Sequence, residues 1–253
     1  MHVMLTFSID PPLFETFPTL RVAAFTASHL DRVGRPLLGD ELDAAWTAAA
    51  TELARRGITP DNIATVPQVQ AWRRTFEACG VAPSTYAGSV EAVVRRMLAY
   101  GREFTRVPVA SLCSAVSARH LAPLRGFDVD MLPASSLTLR TARPGTDFFL
   151  PLGARPSDIP LDPHVVVYAA GRVVLCWSFN HRDSRQTCLA DDTTRAIFFS
   201  EAIDGEQATT ASGALNHLRR ILIQHAVHVG PVAVADAEMP SIGLRFDDEC
   251  PSF

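Results

Sequence analysis

Apolar and polar positions along the first 120 residues follow two periods. The opening segment MLTFSID alternates them, which predicts a half-buried strand, and the apolar run 20–27 predicts a buried strand. Apolar residues at helical spacing then predict amphipathic helices. These are expected over 40–56, 69–79, 89–98 and 109–121, after a short helix at 11–17. Gly57 and Gly80 are the expected C-terminal stops of the helices that precede them, and Ser89 is expected to be an N-cap.

From residue 136 onward the pattern changes to short apolar runs separated by Pro, Gly and Asp, which is typical of strands. Strands are expected at 136–142, 148–152, 164–170, 172–179 and 195–202, with a tight hairpin at Gly171. A long helix is expected over 211–229, and the segment VGPVAVADAE after it predicts an edge strand. Helices first and clustered strands later indicate an α+β fold with a mixed β-sheet flanked by helices.

The composition is that of a soluble globular protein, since 47% of the 253 residues are apolar and 20% are charged. This length suits a single domain over 1–253, with a core at about 5–230 and a C-terminal extension at 231–253. No apolar run approaches a membrane span, so we expect a cytoplasmic protein that binds no membrane. The net charge of −4 argues against a surface that is basic all round, and no DNA partner is expected.

The chemistry open to the chain is restricted by what it lacks. Lysine is absent, so all 23 basic residues are Arg and Schiff-base catalysis is excluded. The five cysteines form no CxxC pair, which argues against a disulfide framework and a zinc knuckle. His217, His225 and His228 lie near one another in sequence but have no evident carboxylate partner, so no metal and no cofactor are expected.

Two sets of polar residues on the predicted helices allow two interpretations each. Arg pairs stand at 55–56, 73–74, 95–96 and 219–220. They indicate solvated helix faces or, alternatively, contacts to phosphates. Ser111, Ser114 and Ser117 form either the solvent face of their helix or the border of a pocket. A serine nucleophile is not expected, because the nearby His120 lies off the face of Ser114.

The segment SFNHRDSRQT, residues 178–187, places many hydrogen-bonding side chains between two apolar runs. A polar hairpin tip is the simplest interpretation. The alternative is a small-molecule pocket, because Asn180, Arg182 and Asp183 supply directional donors and acceptors while Trp177 and Phe179 exclude water.

Four segments in order resemble a known family. They are 72–98 (WRRTFEACGVAPSTYAGSVEAVVRRML), 107–132, 137–153 and 174–204. Together they are similar to the free-standing relatives of the B3/B4 domain, the tRNA-binding and editing domain of the phenylalanyl-tRNA synthetase beta subunit. The resemblance covers roughly residues 5–230.

This resemblance implies a cleft between helices and sheet that accepts the aminoacyl 3′ end of a mischarged tRNA. The expected activity is trans-editing, in which a positioned water hydrolyses the aminoacyl ester without a covalent nucleophile. A non-catalytic module that binds tRNA or an amino acid is the alternative, and a metabolic enzyme that uses the same pocket is a third reading. The oligomeric state stays open.

The resemblance also assigns site residues. Asn180 and Ser114 are the expected catalytic residues, with Ser114 standing where the family usually has Asn. Substrate binding is expected from a second set: Arg125, His181, Arg182, Asp183 and Glu201. Arg125 replaces a functional His of the synthetase domain, and Glu201 stands near the place where a Glu meets the tyrosine hydroxyl. These departures argue against tyrosine as the amino acid removed.

Overall fold

Two β-sheets form the centre of the protein in the computed structural model, which describes residues 4–32, 35–101, 105, 107–225 and 227–246, without the side chains of 32–38. One sheet has the strand order β11-β1-β4-β5-β6-β7, and the other has the order β10-β2-β8-β3, with β9 paired to β2. The β1–β4 pair is parallel and the other named pairs are antiparallel, so the first sheet is mixed. The strands are β1 Met4–Ile9, β2 Arg21–Ser28, β3 Arg125–Asp128, β4 Ser136–Thr141, β5 Val166–Ala170, β6 Val173–Trp177, β7 Arg182–Asp183, β8 Arg195–Ala202, β9 His228–Val229, β10 Ala233–Ala235 and β11 Ser241–Arg245.

The helices lie mainly in the first half of the chain, as the apolar spacing predicts. They are α1 Leu13–Thr16, α2 Arg35–Arg55, α3 Pro67–Ala78, α4 Ser89–Tyr100, α5 Pro108–His120 and α6 Gly205–Gln224. Short 3-10 turns occur at Leu30–Arg32, Ile63–Thr65 and Pro156–Asp158. No helix within the described ranges is long and apolar enough to cross a membrane.

The two faces of the five-stranded sheet contribute to two separate hydrophobic cores, because successive side chains of a strand point to opposite faces. Phe199 of β8 contacts Phe7 of β1 and Tyr168 of β5, with ring centroids 5.0 and 5.4 Å apart, so this face packs against the six-stranded sheet. Phe198 points to the opposite face and joins a second core with residues of α2, α4, α5 and α6. The layers are therefore sheet, sheet and helices, and the α+β prediction is confirmed with two sheets in place of one.

Several predicted elements have different bounds in the structure. The run 148–152 forms only isolated bridges, from Phe148 to Val173 and from Pro151 to Ser184, because Pro151 cannot donate to a ladder. The last helix begins at Gly205, where the Asp204 side chain accepts a hydrogen bond from Gln207 N at 2.8 Å. It ends at Gln224, so His228 belongs to β9 instead.

The residues after 230 belong to the sheets. β10 pairs with β2, and β11 pairs with β1 over five register positions. Ile242 and Leu244 alternate with exposed residues and are buried, as is Phe246. The segment expected as a C-terminal extension therefore buries apolar side chains at an edge of each sheet.

Candidate functional site

The turn after β6 is built from an unusual backbone. Ser178 and Phe179 have φ angles of 49° and 53°, in the left-handed region that non-glycine residues rarely adopt. Both residues are buried, and the Phe179 ring packs edge-on against Phe17 and Trp72. Two such conformations in succession cost free energy that the surrounding packing must offset. The turn directs the next two side chains, Asn180 and His181, toward the N-terminus of α4.

Asn180, which is distant in sequence from α4, forms a hydrogen bond with the first turn of that helix. Its Oδ1 accepts a hydrogen bond from Ser89 N at 3.1 Å, which satisfies one of the free amides of the first helical turn. The N-cap position is occupied by Gly88, so the prediction of Ser89 as N-cap is wrong by one residue. A Cβ atom at 88 would lie 3.2 Å from Asn180 Oδ1, so the close approach favours glycine there. The Asn180 Nδ2 is buried and has no hydrogen-bond partner.

His181 is fixed by one hydrogen bond and two ring contacts. Its Nδ1 donates to Ala87 O at 2.8 Å. The rings of Tyr86 and Trp177 meet the imidazole edge to face, each with centroids 5.3 Å away. Burial lowers the pKa of His181 below its usual value of 6.5, so the ring is neutral at pH 7.

Arg125 begins β3 and lies beneath the turn. It is 5% exposed, and its Nη1 donates to Phe179 O at 2.9 Å and contacts both Cys176 Sγ and Asp183 Oδ1, the latter at 3.4 Å. Burial by itself lowers the pKa of Arg125, but the neighbouring ionisable groups, among them the carboxyl groups of Glu201 and Asp183, outweigh burial and raise it. The guanidinium therefore stays charged and ties β3 to the residues that follow β6.

Glu201 is fully buried on β8, on the strand that pairs with β3. Its Oε1 lies 3.3 Å from Arg125 Nε, but the contact lacks hydrogen-bond geometry, and both carboxylate oxygens are unpartnered. The neighbouring Tyr168 hydroxyl interacts with this carboxylate, but it too has no partner in good hydrogen-bond geometry. Burial raises the pKa of Glu201, and the nearby Arg125 and Tyr168, which lower it, offset that effect only in part. Several buried polar atoms next to Arg125 therefore lack a hydrogen-bond partner.

The three serines of α5 have different surroundings. Ser111 accepts a hydrogen bond from Trp46 Nε1 at 3.1 Å, and Ser117 donates to Ala122 O at 2.7 Å. Ser114, between them, is half-buried and lines a cleft. Of the two alternatives for this polar stripe, the pocket border applies to Ser114 and also to Ser117, which lines the polar compartment as well as bonding to Ala122 O, whereas Ser111 lines neither compartment.

The cleft consists of two adjoining cavities with volumes of about 530 and 520 Å³. The first, here the polar compartment, is lined by Arg96, Asn180, His181 and Arg182 among others. The second, here the apolar compartment, is lined mainly by small and apolar side chains from α5 and from the segment after β7, namely Val107, Ala110, Cys113, Cys188, Leu189 and Ala190. The two compartments share five lining residues, which are Ser114, Leu124, Arg125, Leu152 and Asp183.

Six of the seven residues expected from the sequence line this cleft: Ser114, Arg125, Asn180, His181, Arg182 and Asp183. Glu201 does not line either compartment, because it lies buried behind Arg125. Arg182 Nη1 donates to Leu152 O at 3.0 Å, and both residues line the polar compartment.

Sequence reasoning missed Tyr168 and Cys176, which surround Arg125. Each lies in a continuous apolar strand, where the pattern gives no sign of a polar role. Burial raises the pKa of the Cys176 thiol, and it does the same for Cys113 on the cleft wall, so both thiols are protonated and poor nucleophiles. Cys250 lies outside the described residues.

Other sequence candidates lie elsewhere. His217 on α6 faces His120 of α5, with 3.1 Å between Nδ1 and Nε2, and His225 and His228 follow the helix. Within the ranges described, no group of three or more His, Cys, Asp or Glu residues is arranged to hold a metal ion. Arg73 and Arg95 both bind the buried Glu91, which gives these two members of the Arg pairs a structural contact.

Comparisons with known proteins identify the family of this chain. The sequence model of the B3/4 domain matches residues 71–220, well over half of the chain. Among solved structures, an N-terminal fragment of the phenylalanyl-tRNA synthetase beta-subunit from Pyrococcus horikoshii is similar over 48% of this chain and 41% of its own, with 15% identity and a TM-score of 0.39. This chain therefore spans less than half the length of that one. No curated protein matches. The resemblance seen in the sequence is confirmed: the chain belongs to the B3/4 domain family.

Proposed function

We propose that this protein hydrolyses the ester of a mischarged aminoacyl-tRNA in the cleft, acting on tRNA that a synthetase has released. One observation carries the proposal: in a B3/4 domain, side chains from four separate segments converge on one cleft. These are Arg96 of α4, Ser114 of α5, Arg125 of β3 and the run 180–183 after β6. The editing activity associated with this family makes an aminoacyl ester the first substrate to test.

The groups at the cleft favour attack by water over a covalent route. Ser114 has no base within hydrogen-bond reach among the described residues, and burial keeps the Cys113 thiol protonated. An aminoacyl ester is already activated, so a positioned water and a few fixed donors suffice. Asn180 and Arg182 line the polar compartment, where the amide and the guanidinium would supply donors to a developing oxyanion.

The two compartments suggest how the substrate lies. Arginine forks match phosphate oxygens, so Arg96 and Arg182 place the terminal nucleotide in the polar compartment. The amino-acid side chain then enters the apolar compartment. Asp183 lines both, and its partly exposed carboxylate is suited to the substrate ammonium group at the junction.

A non-catalytic binding module is the second candidate, and one observation favours it. Asn180 Oδ1 and His181 Nδ1 are both engaged in holding the start of α4, so part of the polar set serves the fold. A module of this kind would retain the tRNA end without cleaving the ester.

The test uses tRNAs that carry a series of labelled, mismatched amino acids. We expect the protein to release label at least ten times faster than buffer from one or more of them. Ser114→Phe, which fills the junction, should abolish release, whereas Ala99→Phe, on the exposed face of α4, should not. Release no faster than buffer, together with tRNA retention that falls steeply with salt, would support the binding module instead.

A further inference from the structure

Among the described residues that line the cleft, His181 is the one histidine. Its hydrogen bond shows which ring nitrogen carries the proton. Ala87 O can only accept a hydrogen bond, so the His181 Nδ1, 2.8 Å away, carries the proton. In a neutral ring the other nitrogen, Nε2, is then a bare acceptor. No described residue bonds to it, and it is not among the unpartnered atoms that the fold seals from solvent. Since His181 lines the polar compartment, this nitrogen is accessible to water in the cleft.

The ring is held in this orientation from several sides. Tyr86 and Trp177 flank it, and the strained turn at Ser178 and Phe179 sets its backbone. A base gains efficiency when its position and tautomer are fixed before substrate arrives. The hydrogen bond to Ala87 O fixes both.

The charged and titratable groups around the ring come from each element that borders it. They are Arg96 on α4, Tyr86 before α4, Arg125 on β3, and Arg182 and Asp183 on β7. Burial and Arg182 lower the pKa of His181, while the bond to Ala87 O and the charge of Asp183 raise it, and the net direction is downward. The ring is therefore available as a base at neutral pH.

We infer that His181 is the general base of this site, an inference that rests on the hydrolysis proposed above. Nε2 accepts a proton from a water molecule as the water oxygen attacks the ester carbonyl carbon. The resulting imidazolium then returns that proton to the ribose oxygen as the carbon–oxygen ester bond breaks. The products are the free amino acid and the tRNA hydroxyl, and His181 ends neutral. The role is specific to this chain, whose Arg125 replaces the histidine expected from the resemblance.

The decisive variant is His181→Asn. An asparagine amide nitrogen lies near the position of Nδ1 and can keep the bond to Ala87 O, but it supplies nothing at the position of Nε2. We expect kcat/KM for deacylation to fall by about 100-fold or more, the usual contribution of a general base. His164→Asn, at an exposed position away from the cleft, is the matched control and should leave the rate unchanged.

The pH profile separates a base from a merely structural residue. In the wild type, kcat/KM should fall on the acid side as Nε2 takes up a proton, and in His181→Asn that acidic limb should vanish. A variant that keeps the wild-type rate, or that loses rate but keeps the limb, would overturn the role while leaving the hydrolysis in place. Wild-type protein without deacylase activity would overturn both.

A measurement on the wild type covers the case in which the variant fails to fold. The His181 ring can be assigned by NMR through its contacts with Tyr86 and Trp177. Its titration midpoint should coincide with the midpoint of the acidic limb of kcat/KM. Two midpoints that differ by more than about one pH unit, a tenfold difference in proton affinity, would show that another group is the base.

Discussion

Arg140 and Arg125 are both buried beside a carboxylate, but only the first pair is complete. Arg140 Nη1 and Nη2 each donate to one oxygen of Asp147 at 2.8 Å, and both partners are nearly inaccessible. The same two nitrogens also donate to the backbone carbonyls of Thr141 and Gly171, and Arg143 N donates to the same carboxylate. Neither Arg140 nor Asp147 lines the cleft.

Arg125 and Glu201 are buried to a similar depth with much poorer geometry. The Nε–Oε1 separation of 3.3 Å is a contact without a hydrogen bond, and both oxygens of Glu201 are unpartnered. A complete buried pair holds a fold together, whereas an incomplete one has a free-energy cost that selection tolerates where function requires it. The comparison therefore contrasts a complete structural pair with an incomplete pair that lies beside the proposed site.

Matched removal of the two carboxylates gives the largest expected difference. Asp147→Asn should lower the free energy of unfolding by about 3–5 kcal/mol, because it leaves the Arg140 charge buried without its partner. Urea unfolding measures this loss, and deacylation per folded molecule should not change. Replacing both partners, as Arg140→Met with Asp147→Leu, should recover most of the stability. A loss below about 1 kcal/mol in Asp147→Asn would remove the distinction.

Glu201→Gln should have a smaller effect on stability, of no more than about 1 kcal/mol, since its hydrogen bonds are already unmade. Its sign depends on pH. The pKa of Glu201 is raised above 4.5 in the folded state, so the wild type has its full benefit below pH 4.5 and loses it as pH rises through the folded pKa. As pH rises through this range, the free energy of unfolding of Glu201→Gln should increase relative to that of the wild type. Unfolding curves from pH 4 to 8 that stay parallel would contradict this account.

The smallest effect comes from the histidine pair, which titrates in the opposite sense. Burial and the facing His217 lower the pKa of His120 from 6.5 to about 4. Its contribution to stability is therefore present above pH 6.5 and is lost as pH falls toward 4. His120→Asn should flatten that acid-side loss in urea unfolding, and His164→Asn should not. An unchanged slope in His120→Asn would assign the acid sensitivity to another group.

Much of the fold follows from sequence periodicity. β2 and β8 were expected within a residue or two of their observed bounds, because both are continuous apolar runs. The short strands β3 and β7 were missed, since RGFD and RD carry no periodic signal of their own and form only by pairing with β8 and β6. Long-range pairing of this kind cannot be read from a local window.

Six of the residues named from the sequence line the cleft, but their arrangement could not be predicted from the sequence. The cluster at 180–183 was visible because polar side chains interrupt apolar runs. The burial of Glu201 behind Arg125 was not visible, because it depends on the register between β3 and β8. The link between Asn180 and α4 joins positions 91 residues apart, a distance that no motif spans.

A substitution at Gly88 could change the cleft although Gly88 does not line it, because this glycine lies against Asn180. Its φ of −62° is open to every L residue, so alanine is opposed only by the 3.2 Å approach to Asn180 Oδ1. A methyl group here would press the amide away by a few tenths of an ångström, and His181, the next residue, would move with it. Relatives that differ only at this position would have chemically identical linings but different rates, so a comparison of lining residues alone would miss the cause.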